Sequence, residues 1–326
     1  MKTVRYHFMG IGFMVLSALL MMPVSSQAQA YPSKPIRLVV PFAPGGAADI
    51  LGRIVADRLQ HDLGQPVVII NKEGAGTVIG VDFVAKSVPD GYTLLMGNDA
   101  MTINTASGRK LPYDLLKDMA PISLVYSGPQ IVLTNKSSPF NQLSDLVSFI
   151  KANPNKVSYG TSGIGSSTHL STAALCEAAG INPTHVAYRG IAPAINDLLG
   201  GHVEFLIAGS SSALPLIRAG SAKPLAILSK KRSPLLPTLP TAIEQGVNAE
   251  SEGWYGVLAP AGTPPEITAK LNATLVAALG TTEFRDRLLA LAGEPRGMSE
   301  AQFSAFIRAE IQKFSTLMRV HDIQLK

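Results

Sequence analysis

The most restrictive feature of this sequence is a unit that occurs twice: a short β-branched run, a turn of glycine and small residues, then apolar residues at helical spacing. In the first copy, Ile36-Arg-Leu-Val-Val40 stops at Pro41 and is followed by Ala43-Pro44-Gly45-Gly46. Leu51, Ile54, Val55, Leu59 and Leu63 then recur every three or four residues until Gly64 and Pro66 end the pattern. Val67–Ile70 supplies the next strand, residues 77–86 a helix, and Thr93–Met96 a third strand closed by Gly97-Asn98-Asp99. Strands alternating with helices imply a mostly parallel sheet flanked by helices on both faces.

The second copy begins after a long extended stretch, Ile122–Leu133, expected to run between two lobes. A helix over 143–152 and a strand over 157–159 lead into Gly160-Thr-Ser-Gly-Ile-Gly-Ser-Ser167, the second glycine turn, and a second helix. Strands over 185–188, 203–207 and 224–228 alternate with helices over 192–199 and 214–218. Pro234, Pro237 and Pro240 break the chain, and Trp254–Leu258 forms a return strand. Everything after Gly262 reads as helix, with Phe303, Phe306, Ile307, Ile311, Phe314, Leu317 and Met318 as one apolar stripe that is expected to cover the first lobe. The fold class is therefore α/β in two lobes: residues 31–127 with 252–326, and residues 128–251. A mature chain of this size exceeds a single core of about 100 to 200 residues.

Residues 1–30 are set aside as an export signal. Lys2 and Arg5 form the positive segment, 8–22 the apolar core, and Ala28-Gln29-Ala30 a small-x-small cleavage signature with cleavage after Ala30. The apolar run is shorter than the roughly 20 residues of a membrane span. No cysteine near the cleavage point offers a lipid attachment site, so a soluble periplasmic protein is expected. The net charge is +5, and losing Lys2 and Arg5 leaves +3, spread thinly except at Lys230-Lys231-Arg232. That is no nucleic-acid footprint. Cys176 is the sole cysteine, which excludes an internal disulfide. The histidines show no ligand spacing, so no metal site and no cofactor are expected.

The chemistry is expected at the turns. In open α/β sheets ligands bind beyond the carboxyl ends of the strands, where the first amides of each helix lack internal partners and the helix dipole favours an anion. Pro44-Gly45-Gly46 and Ser162-Gly163-Ile164-Gly165-Ser166-Ser167 occupy equivalent places in the two lobes. Either turn alone serves equally well as a plain strand-to-helix link, but two facing one cleft would hold a small carboxylate without buried cationic side chains. Asp49 caps a helix or meets a ligand donor, Asn98 and Asp99 form an Asx turn or contribute hydrogen bonds, and His169 packs or faces the cleft. Gly209 and Ser210 stand among the ligand contacts, whereas Gly209-Ser-Ser211-Ser-Ala213 is only a near miss to a nucleophile elbow. A secreted serine hydrolase using Ser211 is the weaker alternative, and Gly74-Ala-Gly76-Thr-Val-Ile-Gly80 is a poor dinucleotide loop. The expectation is a binding protein and not an enzyme.

Val40-Pro-Phe-Ala-Pro-Gly-Gly-Ala-Ala-Asp49, Pro89-Asp-Gly-Tyr-Thr-Leu94, the 159–169 segment, His185-Val-Ala-Tyr-Arg-Gly190 and Trp254–Pro264 together resemble the Bug family. These are periplasmic substrate-binding proteins of tripartite tricarboxylate transporters, similar to TctC. The resemblance implies a Venus-flytrap fold, type II-like, and a ligand carboxylate held by the turns around Phe42, Ala43, Pro44, Gly45 and Gly46 and around Thr161, Ser162, Gly163, Gly165, Ser166 and Ser167. It implies that Asp49 orients an amino or hydroxyl group of some ligands. It puts Arg189 where a lysine is common and Asn98 where Ser or Thr precedes His. The implied partners are a small carboxylate, the permease subunits or else a sensor kinase, with the protein acting as a monomer.

Overall fold

A computed structural model describes residues 31–45, 47–291, 293–320 and 323. The export signal with its cleavage point, Gly46 and His321 lie outside the described residues.

The first unit forms as its spacing dictates. Strand β1 (Ile36–Val40) pairs in parallel with β2 (Val67–Asn71) and β3 (Thr93–Asn98). Between them run helix α1 (Ala47–Leu63) and helix α2 (Val78–Ala85), the latter entered through a single 3-10 turn at Ala75–Thr77. The run after β3 departs from the sequence reading. Asn98 still belongs to the strand, and Asp99 opens a helix, α3 (Asp99–Ala106), where a turn was expected. A one-turn helix, α4 (Leu115–Asp118), follows and leads into β4 (Met119–Asn135).

Strand β4 is the member common to both sheets. Its first part pairs antiparallel with β9 (Glu252–Pro260), from Met119↔Pro260 to Pro129↔Glu252, and β9 pairs antiparallel with β3. Its second part pairs antiparallel with β7 (Phe205–Gly209) from Gln130↔Gly209 and with β8 (Ala222–Leu228). The change of partner falls between Pro129 and Gln130. On the far side of β7 lie β5 (Ser158–Thr161) and β6 (Thr184–Ala187), both parallel. The two-residue β10 (Glu294–Pro295) closes the free edge of the first part of β4. Each sheet is thus mixed, parallel in its βαβ strands and antiparallel where β4, β8 and β9 enter.

Helices α5 (Leu143–Ala152), α6 (Ser167–Ala179), α7 (Ile191–Gly200) and α8 (Ser210–Arg218) cover the second sheet. Its two faces are filled by separate apolar clusters, one around Leu146, Phe205 and Leu225 and one around Ile131, Leu198 and Leu206. Past β9 come α9 (Pro265–Leu279), α10 (Thr282–Leu289) and α11 (Glu300–Val320). The apolar stripe of α11 divides its work. Phe303 and Ile307 enter the core of the first sheet beside Trp254 and Leu258, whereas Phe314 and Met318 pack with Ile103 of α3 and Leu170 of α6. The Phe303 ring meets Trp254 edge-on at 5.7 Å, and a β-carbon at Gly256 would run into that ring. Glycine on β9 is what lets the helix settle onto the sheet. No helix among the described residues is long and apolar enough to cross a membrane.

Phe303 is fully buried, so Phe303→Ala should leave a cavity and cost about 3–5 kcal/mol. Urea unfolding followed by Trp254 fluorescence measures this, and an unchanged midpoint would mean that α11 adds nothing to the first core.

Candidate functional site

A cavity of about 1110 Å³ lies where the two sheets meet. Its walls are mostly helix starts. Ala47 and Ala48 of α1, Thr77 before α2, Asn98 to Ala100 at α3, Ser166 to Thr168 at α6, Gly190 to Ala192 at α7 and Ser210 to Ser212 at α8 all line it. Each helix that follows a parallel strand therefore begins beside one space, the geometry that favours an anion. The sequence reading had placed two of these ends there.

The α6 end is the most fully built. Gly163 and Gly165 have φ of 132° and 70°, which lets the loop fold back over the end of β5. Ser166 caps the helix, its Oγ accepting from the His169 amide at 3.3 Å and donating to the Gly163 carbonyl at 2.7 Å. The Ser162 amide donates to Thr168 Oγ1 at 2.9 Å, and the Gly165 amide donates to His169 Nδ1 at 3.0 Å. The amides of Ser167 and Thr168 have no partner among the described residues and stand at the cavity wall.

The α1 turn is braced from behind. Asp49 Oδ2 accepts from the Gly45 amide at 3.0 Å and from Arg53 Nε at 2.9 Å, while its Oδ1 accepts from Asn71 Nδ2 at 2.9 Å. Asn71 also donates to the Phe42 carbonyl. The bond from Arg53, with those from Gly45 and Asn71, holds the Asp49 carboxyl down at about 2. Its lone pairs are spent on the turn, and Asp49 does not line the cavity.

The floor is made where β4, β7 and β9 come together, with Gly128, Gly253 and Gly209 leaving room above the backbone. Asp99 stands at one end of it, fully enclosed. Burial, then the nearby Glu310 carboxylate, push its carboxyl up to about 7 against the opposing effects of Ser167, the Ala100 amide and Lys313. Asn98 Nδ2 donates to Asp99 Oδ1 at 3.0 Å, which leaves Asn98 Oδ1 without a donor. The amide oxygen of Gln130 is likewise unpartnered, in a side chain only 2 % exposed. Arg109 is the only lysine or arginine among the described lining residues, its Nη2 donating to the Ala75 carbonyl at 3.2 Å.

Of the residues singled out from sequence, Phe42, Gly45, Asn98, Asp99, Ser162, Gly163, Gly165, Ser166, Ser167, Gly209 and Ser210 line this cavity. Others do not. Ala43, Pro44 and Arg189 are exposed outside it. Thr161 is buried behind the loop, hydrogen-bonded to His185 Nε2 at 2.7 Å. His169 faces a second cavity of about 470 Å³ behind α6 and stacks on His185. Missed from sequence were the starts of α7 and α8 beyond Ser210, the 75–77 turn, Arg109, Tyr126, Tyr255 and Gln130. Ser211 lines the cavity, yet no histidine or carboxylate bonds to it among the described residues, so nothing there activates it as a nucleophile.

Two lobes around a shared strand, with helix starts converging on one cavity, define a solute-binding protein. The comparisons agree. Residues 51–323 match the tripartite tricarboxylate transporter family receptor, TctC, and the chain belongs to that family of periplasmic solute-binding proteins, which are not enzymes. It is 37% identical over 319 residues to Protein BugT of Bordetella pertussis, covering 97% of each chain. Among solved structures it is similar to "R. palustris Rpa4515 with adipate", with TM-score 0.84 and 36% identity over 90% of this chain and 99% of that one. It is also similar to MatC from Rhodopseudomonas palustris with bound malate, with TM-score 0.78 and 31% identity over 88% and 99%.

Because the folded pKa of Asp49 lies below its ordinary value of 3.8, its ionised form stabilises the fold above that pH, and this contribution is lost as pH falls through about 2. Asp49→Ala should cost about 1–3 kcal/mol at pH 7 by stranding the Gly45 and Asn71 donors. Urea midpoints of the two proteins should converge between pH 4 and pH 2, and a gap independent of pH would show that charge plays no part.

Proposed function

We propose that this protein captures a small carboxylate-bearing metabolite in the periplasm and delivers it to the permease of a tripartite tricarboxylate transporter. The observation that carries this reading is the pair of unpartnered amides, Ser167 and Thr168, at the start of a 13-residue helix that faces the cavity. Five further helix starts reinforce the field there, and backbone donors bind a carboxylate without the desolvation penalty of a buried cation. Adipate and malate in the similar structures are carboxylates of the size this geometry admits.

The lobes are taken as residues 31–127 with 252–326, and residues 128–251. The chain crosses between them on neighbouring strands, where Gly128 pairs with Gly253 and Pro129 with Glu252. Two adjacent crossings form a hinge, and closure about it would bury the ligand and present a new surface to the permease.

Carboxylates should stabilise the protein in a thermal-shift panel, since ligand at about 100 times its Kd adds about 2.7 kcal/mol. A variant isolates the amide. Ser167 is the first helical residue, and Ser166 before it has φ −69° and ψ 163°, a conformation that accepts a following proline. Ser167→Pro should keep the helix while deleting one N–H donor, weakening the best carboxylate by about tenfold or more, whereas Ser167→Ala removes only the hydroxyl. Equal affinities for Ser167→Pro and Ser167→Ala would move the anion elsewhere.

A further inference from the structure

The loop that leads to the Ser167 and Thr168 amides is tied back at two points by histidines. At one, the Gly165 amide donates to His169 Nδ1 at 3.0 Å. At the other, His185 Nε2 lies 2.7 Å from Thr161 Oγ1 at the end of β5. The two imidazole rings stack on each other, with centroids 4.0 Å apart and planes 12° from parallel, and Tyr159 stacks on His185 at 5.0 Å. The start of α6 is a variant of the capping box. Ser166 Oγ accepts from the His169 amide, and the side chain at the third helical position reaches back to a backbone N–H, here one residue before the cap. That third position is ordinarily Glu or Gln. Glutamine would accept at any pH, and glutamate would bring a negative charge toward the anion site. Histidine accepts only while neutral, because both nitrogens of an imidazolium are donors.

We infer that His169 is a positioning residue whose protonation unfastens the 161–168 loop, so that acid weakens capture at the start of α6. The effect on capture rests on the carboxylate reading above, whereas the unfastening of the loop does not. Histidine is the side chain whose charge changes near neutral pH. The groups that share the second cavity with it leave that change to the ring. Burial raises the Tyr159 phenol and pushes the Cys176 thiol up to about 12, so both stay uncharged. Burial also lowers the pKa of His185, which disfavours a charge on the ring stacked against His169. Glu177 is the one carboxylate among the described lining residues of that cavity, which include no lysine or arginine, and α11 brings only Val320 to it, with Ile323 just beyond. A negative charge there favours the imidazolium. Glu177 and Asn182 are exposed, so the cavity gives solvent protons a way to the back of the loop.

The test is hydrogen exchange of the ligand-free protein between about pH 8 and pH 5.5, read on peptides covering 160–170 and corrected for intrinsic rate, with peptides from α5 as the internal control. Losing one buried hydrogen bond should speed exchange of the wild-type loop about fivefold or more in acid relative to α5. His169→Asn places an oxygen where Nδ1 stands and does not titrate, so its loop should hold the same protection across the range. His169→Leu has no acceptor, and its loop should exchange fast even at about pH 8. Calorimetric titration with succinate, malate and adipate then compares wild type with His169→Asn at each pH, which cancels the titration of the ligand itself. The ratio of their affinities should move against wild type by about fivefold or more in acid. A wild-type loop that keeps step with α5 down to about pH 5.5, or an acid response that survives in His169→Asn, would overturn the inference. The two readings fail separately. A carboxylate bound with one pH profile in both proteins removes the acid switch and keeps the carboxylate site, whereas acid-sensitive exchange with none of the three acids bound supports the switch and removes the carboxylate site.

Discussion

The structure depends on one strand belonging to two ladders. β4 gives its first part to β9 and its second to β7 and β8, and the transfer takes place within the single step from Pro129 to Gln130. A strand that continues through the change keeps a ladder partner on either side of it, with Pro129 opposite Glu252 and Gln130 opposite Gly209, as buried main-chain groups require. The ends of the parallel strands of both sheets are thereby brought around one space. Helices that follow those strands have no choice but to begin there, and the cavity arises from connectivity before any side chain is considered.

The flanks of the cavity are then held by contacts that stay out of it. Asp49 spends its carboxylate on Gly45, Asn71 and Arg53, and His169 spends Nδ1 on the Gly165 amide. Both residues were read from sequence as candidate ligand contacts, yet both act one layer back. The difference is intelligible: a polar side chain four residues into a turn can reach the turn's own amides, and a glycine-rich loop without such a brace would lose its geometry to conformational entropy. Sequence identifies that a polar group is needed near the turn. Only coordinates decide on which side of the backbone its bonds are made.

Most elements were legible because their periodicity is strong. Ile36–Val40 and the 143–152 helix coincide with the reading residue for residue, and the α11 stripe lies on the core as its spacing required. Helix α3 was not legible. Asp99-Ala-Met-Thr-Ile-Asn-Thr-Ala106 is rich in residues of weak helix propensity and has no clear stripe, so a strand-closing turn was the local answer. Tertiary packing overrides it, with Met101 and Thr102 completely buried and Ile103 in the cluster with Phe314 and Leu170. Gln130 was hidden for the converse reason, as one more polar residue in a strand that also carries Ser123, Ser127 and Thr134 looks like ordinary variation until its burial is known. The mixed direction of the sheets was equally invisible, since β9 reads as a strand whichever way it runs.

The charge arrangement follows from the same connectivity. Six helix starts face the cavity, each carrying about half a positive charge, while Arg109 is the single cationic side chain among the described lining residues. Backbone dipoles of this kind are fixed by the fold, so they need no reorganisation when an anion arrives and lose no side-chain entropy. An ionised acid inside such a field would neutralise much of it. Asp99 is the one carboxyl among the described lining residues, and its burial, with Glu310 nearby, lifts its pKa to about 7, against the pull of the helix that it begins. Glu310 on α11 does not line the cavity, and by raising the Asp99 carboxyl it works in the direction that spares the positive potential of the helix starts for an anion from outside the chain.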